Sequence, residues 1–133
     1  MKNSKNQNRL KTKIENKGKI FDLGERTRKF FLRAVRLCRL LPKNALTNRQ
    51  IDQLVGAAGS VAANYCEASE AMSKKDFNKC IKICRKEAKE SRVWFSGLQT
   101  ATNTEEEEFN FLENEAQELI YIFTSILSKT DRR

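Results

Sequence analysis

The stretch from Ser73 to Leu98 constrains the fold more than any other part of the chain. Phe77, Cys80, Ile81, Cys84, Ala88, Phe95 and Leu98 recur at helical spacing and draw one apolar stripe down a helix. Lys75, Lys79, Lys82, Lys86 and Lys89 recur at the same spacing on the opposite side. One side has to be buried against other helices. The other sets five ammonium groups in a row, and like charges at i,i+4 repel on an isolated helix. Water, salt or a polyanion must screen such a row, which makes nucleic acid the leading partner class.

The rest of the chain supplies the helices that bury the stripe. A first helix runs from about Leu23 to Leu40, with Phe30, Ala34, Leu37 and Leu41 on one face and Phe31, Val35 and Cys38 beside them. Lys29, Arg33 and Arg36 form a second basic stripe along its flank. Pro42 stops it, because proline disfavours helical geometry in the residue before it. A second helix begins at Thr47, read as its N-cap, and runs to about Met72. Its core face is Ile51, Leu54, Val55, Ala58, Ala62, Tyr65 and Met72; its reverse side carries Gly56, Ser60, Ala63 and Glu67. Ser73 and Asp76 open the third helix in a capping-box-like arrangement, and it continues to about Thr100. The fourth follows Thr104, with Glu105 to Glu108 in its first turn, where the helix dipole favours carboxylates. Phe109, Leu112, Ala116, Leu119, Ile120, Phe123, Ile126 and Leu127 form its apolar stripe.

Short inner loops make consecutive helices antiparallel, so the expected fold is all-α, an up-down four-helix bundle. One proline and five glycines in 133 residues fit that reading better than a sheet-and-turn architecture. Residues 1–20, rich in Lys and Asn, are expected to be a disordered basic arm, and residues 21–130 the bundle domain. At 1.5 Å per residue the longer helices span about 40 Å.

Apolar material is left over. Ile83 and Trp94 share a shoulder of the third helix, eleven residues apart, and Phe111 and Ile122 do the same on the fourth. One four-helix core cannot bury both stripes, and contiguous exposed apolar patches mark interfaces. The small residues Gly56, Ser60 and Ala63 allow another backbone to approach closely. These seven positions are the expected oligomer interface.

Catalytic chemistry is sparse. The absence of histidine removes the usual general base and the commonest metal ligand. It also removes the Glu-x-x-His di-iron sites of other four-helix bundles. No glycine-rich phosphate loop is present. Cys38, Cys66, Cys80 and Cys84 sit on apolar stripes without paired C-x-x-C spacing, so they read as core packing rather than a zinc site. Glu87 with Glu90, and Asn64 with Glu67, read as ion-pairing groups rather than catalytic acids, since paired acids need a cleft that shifts their pKa values. No catalytic residue, metal or cofactor is expected, and the chain is read as a non-enzyme. A basic N-terminus without an apolar run behind it is no secretory signal, and no stretch approaches the ~20 residues that span a bilayer. The expected location is cytoplasmic.

Charge is segregated within a net +9. The stretch from Ser73 to Asn103 carries eight basic residues against three acidic, whereas Thr104 to Arg133 carries eight acidic against three basic. Segregation of this kind points to an oriented interaction surface. Lys75, Lys79, Lys82, Lys86 and Lys89, helped by Lys29, Arg33 and Arg36, are the expected phosphate contacts, giving affinity for an RNA or DNA backbone without base readout. A membrane surface fits less well, because the apolar side of the third helix is needed by the core. The competing reading is a protein–protein adaptor that docks an acidic partner such as a polymerase or reverse transcriptase.

Several ordered motifs carry a family resemblance. Phe21-Asp22-Leu23 with Glu25-Arg26-Thr27 and Phe30, then Leu41-Pro42, Ala62-Ala63-Asn64-Tyr65 with Glu67-Ala68, Ser73-Lys74-Lys75-Asp76-Phe77, and Lys86-Glu87-Ala88 with Glu90 and Trp94 resemble the 23S rRNA intervening-sequence protein family, also called the four-helix-bundle protein family. The similarity covers about Phe21 to Lys129. It implies an antiparallel bundle that assembles as a ring, a homopentamer, encoded within insertions in bacterial 23S rRNA genes. Related proteins accompany the reverse transcriptase of diversity-generating retroelements and bind nucleic acid. The resemblance transfers no catalytic residues. Cys66 and Gly59 depart from the pattern within the small-residue motif, and the basic arm lies outside it.

Overall fold

Four helices make up residues 23–131, the part of the chain that the computed structural model describes: α1 (Leu23–Leu40), α2 (Asn48–Ser69), α3 (Lys74–Thr102) and α4 (Glu106–Asp131). The arm assigned to residues 1–20 lies outside the described residues. Backbones approach one another between α1 and α2, α2 and α3, α3 and α4, and α4 and α1, so α1 stands diagonally from α3, and α2 from α4. Side-chain registers give the directions. Cys84 Sγ lies 3.5 Å from the Val61 carbonyl oxygen while Gln50 abuts Gly97, so α2 and α3 are antiparallel. Arg26 meets Glu115 and Arg33 meets Glu108, which does the same for α1 and α4.

The core follows the sequence stripes. Phe95 sits at its centre, edge-on to Phe30 of α1 at 6.1 Å and to Phe109 at 6.4 Å. Leu37, Leu54, Ile81, Leu98, Leu112, Leu119 and Phe123 are buried around it. Each such side chain contributes roughly 1.5–3 kcal/mol through removal from water. Gly59 makes room for Phe31 of α1: a Cβ there would stand 3.1 Å from the Phe31 ring.

Helix ends are fixed by specific groups. Ser73 Oγ accepts the Asp76 N–H at 3.1 Å, the N-cap read from the sequence. Asn103, at φ 50°, ends α3 in the left-handed conformation and donates its N–H to the Gln99 carbonyl. Two expected caps differ. The first backbone bond of α4 joins the Phe109 N–H to the Glu105 carbonyl, so the helix starts one residue later than a Thr104 cap implies. Thr47 precedes α2 but its hydroxyl makes no cap bond. Fully buried, it donates to the Pro42 carbonyl at 2.6 Å and accepts the Asn44 N–H at 3.0 Å, bracing the α1–α2 loop instead.

The inner face of α2 also differs from its expected line. Ala57, Val61 and Ala68 are buried with Leu54 and Ala58, whereas Ala62 and Tyr65 are half-buried. Met72 is 94% exposed because α2 has already ended. The N–H groups of Glu70 and Ala71 turn back onto the Glu67 and Ala68 carbonyls, which takes Met72 out of helical register. Among the described residues no helix is long and apolar enough to cross a membrane.

Candidate nucleic-acid interface and subunit seams

The lysine row of α3 is an uninterrupted exposed stripe. Lys75, Lys79, Lys82, Lys86 and Lys89 all face solvent, and over fourteen residues they span about 21 Å. Burial of Ile81, Cys84, Ala88 and Phe95 fixes the rotation of the helix and so forces the lysines outward. One flank of α3 is tied to α4, where Arg85 donates to Thr124 Oγ1 at 3.3 Å and Arg92 donates to Gln117. None of the five lysines forms an ion pair among the described residues.

The basic stripe of α1 lies elsewhere and is partly committed. Arg33 donates two hydrogen bonds to Glu108, at 2.6 and 3.0 Å, and its guanidinium lies 3.7 Å over the Phe111 ring. Arg26 makes the same two-pronged contact with Glu115. In both, hydrogen bonding to the carboxylate outweighs burial and raises the guanidinium pKa. Lys29 and Arg36 remain exposed. Arg26, Lys29 and Arg33 line a cavity between α1 and α4, and α1 stands diagonally from the helix that carries the lysine row. The two stripes therefore do not merge into one surface. Reasoning from sequence leaves Arg26, Glu108 and Glu115 out of the site. Their signal is a matched seven-residue spacing, Arg26 to Arg33 on one helix and Glu108 to Glu115 on its antiparallel neighbour.

The seven expected interface positions do not share one surface, and Ala63 also lines a groove between α1 and α2 with Phe31, Gly59 and Tyr65. Ala63 of α2 and Ile83 of α3 line one open groove of about 720 Å³, together with Asn64, Glu67, Lys79 and Cys80. Ser60, one turn before Asn64 on α2, accepts the Asn64 side-chain amide through both its carbonyl and its hydroxyl at 2.9 Å. Trp94 is half-buried against the core, and its Nε1–H is buried without an acceptor. A Cβ at Gly56 would meet nothing within 4 Å, so no contact inside the chain requires glycine there. Phe111, 44% exposed, and the half-buried Ile122 lie instead on the α1 side of α4. Beside Phe111 is a cavity of about 160 Å³ lined by Arg26, Lys29, Phe30, Arg33 and Glu115.

The reactive groups are dispersed. Burial pushes the Cys38 thiol up to about 11 and that of Cys84 up to about 12, so both stay protonated at neutral pH. Cys80 is half-buried and Cys66 exposed. Among the described residues no group of three or more cysteine or carboxylate side chains is placed to hold a metal. Burial, then the neighbouring Glu90 carboxylate, raises the pKa of Glu87. This carboxyl pair sits on the α2/α3 seam between Ile83 and Trp94, open to solvent rather than enclosed in a cleft.

Comparison with known proteins agrees with this architecture. No curated protein matches the chain. A crystal structure of a protein with unknown function from the S23 ribosomal protein family of Bacteroides thetaiotaomicron VPI-5482 superposes with a TM-score of 0.72 at 26% identity, covering 79% of this chain and 97% of that one. The model of the 23S rRNA-intervening sequence proteins matches residues 21–125, which take in α1 to α3 and most of α4. On that match the chain belongs to the 23S rRNA-intervening sequence protein family.

Proposed function

We propose that this protein is a non-enzymatic ring, a homopentamer, that binds the phosphate backbone of structured RNA or duplex DNA through the outer face of α3. The observation that carries the reading is the row of five exposed lysines with no carboxylate paired to them among the described residues. Phosphates that replace the counterions of such a row give affinity through counterion release. The acids of α4 are spent differently, since Glu108 and Glu115 neutralise α1, not α3. Membership in a family named for 23S rRNA intervening sequences supports a nucleic-acid partner.

Two features support the ring. The α2/α3 and α1/α4 seams are distinct surfaces on opposite sides of the bundle. Head-to-tail contact between unlike patches closes a ring when the rotation permits. A ring repeats the lysine row once per subunit, and multivalent contact multiplies a modest affinity. Filter binding with purified full-length protein tests the assignment. Lys79→Glu, Lys82→Glu and Lys86→Glu together should weaken binding to structured RNA and duplex DNA while the oligomer persists. Unchanged affinity overturns the site. No affinity at physiological salt in the unaltered protein favours instead an acidic protein partner for the same face.

A further inference from the structure

Two short rows of side chains face each other across the α3/α4 seam. Arg85, Lys89 and Arg92 lie at i, i+4 and i+7 on α3 and so share one face; Gln117, Tyr121 and Thr124 do the same on α4. Three side-chain hydrogen bonds fix the register of these antiparallel helices: Arg85 to Thr124, Arg92 to Gln117, and Thr130 to Asn78 at 2.9 Å. That register sets Tyr121 level with Ala88, between the two arginines and beside Lys89 of the lysine row. Seven residues, about 10 Å, separate Arg85 from Arg92 along α3.

Tyr121 has no structural duty within the subunit. It is 63% exposed, and its hydroxyl makes no hydrogen bond among the described residues. The charge around it is positive. Arg85 and Arg92 bond neutral oxygens, and neither they nor Lys89 forms an ion pair among the described residues. Nearby carboxylates lie on other flanks. Glu118 acts on Arg26 of α1, so it belongs to the side of α4 away from α3. Glu87 and Glu90, at about 100° per residue, fall on the side of α3 away from Arg85, Lys89 and Arg92. From 119 to 130, α4 carries no acidic residue at all.

An exposed aromatic ring among uncompensated cations suits one nucleotide. The ring stacks on the base while the cations hold the phosphates on either side. A base inside a duplex offers only its edges, so it cannot use such a ring. We infer that Tyr121 is a stacking platform for an unpaired base, with Arg85 and Arg92 on the flanking phosphates, so that this face prefers RNA with single-stranded loops to uniform duplex.

This platform rests on the phosphate-binding reading of α3 and narrows its partner. Filter binding of the full-length protein to an RNA hairpin with a single-stranded loop, and to a blunt RNA duplex of equal charge, tests it. The hairpin should bind more tightly. Tyr121→Ala should weaken hairpin binding roughly tenfold and leave duplex binding unchanged. Tyr121→Phe should keep the affinity, because the face of the ring does the stacking. The side chain lies outside the core, so helical circular dichroism should be unchanged in both variants. Equal affinity of the unaltered protein for the two RNAs, a loss shared equally by both, no loss at all, or a Phe variant as weak as the Ala variant overturns the platform and leaves the lysine row standing. A Tyr121→Ala chain that dissociates in sedimentation equilibrium assigns the tyrosine to a subunit contact and overturns the platform too. Failure of the unaltered protein to bind either RNA overturns the α3 reading together with it.

Discussion

Individual side chains in this bundle take roles that their neighbours decide. Four cysteines share one residue type and three degrees of exposure, from the exposed Cys66 through the half-buried Cys80 to the buried Cys38 and Cys84. Because the thiolate is the nucleophile, iodoacetamide at neutral pH should alkylate Cys66 first and Cys80 more slowly. Cys38 and Cys84 should react only on unfolding, a pattern that mass spectrometry reads directly; early labelling of Cys84 would contradict its burial. Glu87 gives a prediction with a definite sign. Its folded-state pKa is raised, so the stability it contributes is present at low pH and is lost as pH rises through the raised value. In the dissociated subunit at neutral pH, Glu87→Gln should stabilise by less than about 1 kcal/mol, since the group is partly solvated. Urea denaturation across pH should show less stability lost above the ordinary carboxylate range than in the unaltered chain. The sequence marks Glu87 and Glu90 as a pair, but the absence of a facing cation on α2 is a fact of three dimensions.

Among the elements, α1 and α4 are joined differently from the rest. The other neighbouring helices meet largely through apolar contact, whereas this seam is clamped by Arg26–Glu115 and Arg33–Glu108. The Arg26 pair is the more enclosed, with side chains 23% and 17% exposed against 40% and 27% for the Arg33 pair. Glu115→Ala should therefore cost about 1–2 kcal/mol in thermal or urea unfolding, and Glu108→Ala less, as partly buried two-pronged pairs outweigh solvated ones. Equal costs would show that enclosure does not set the strength of the clamp. Helices α1, α3 and α4 are legible in sequence because their apolar stripes are wide and regular. The inner face of α2 is less so: its alanines and glycines mark every side as packable, and only the large residues of α1 and α3 decide between Val61 and Ala62. Met72 looks like a continuation of the stripe, yet the chain has already turned at Glu70. Gly56 and Gly59 are equivalent on a helical wheel of small residues. Phe31 gives one of them an internal reason, and the other has none.

At the scale of the whole molecule, the bundle separates its charge by helix. α3 points five lysines outward, and α4 uses its acids to hold α1. That division makes α3 the surface available to a polyanion, and a ring multiplies it. The lysine row and both apolar shoulders are visible in the sequence; their positions around the bundle follow only from packing, which sends Arg33 to Glu108 and sets the two shoulders on different seams. The salt dependence of binding to duplex DNA and structured RNA tests the central claim most directly, measured for the unaltered protein and for the chain carrying Lys79→Glu, Lys82→Glu and Lys86→Glu. The unaltered protein should bind with log K falling steeply against log salt, and the loss of three phosphate contacts per bound α3 face should reduce that slope on duplex DNA by about 3. Binding that is insensitive to salt, or a slope that the three reversals leave unchanged, would contradict a phosphate-binding face on α3.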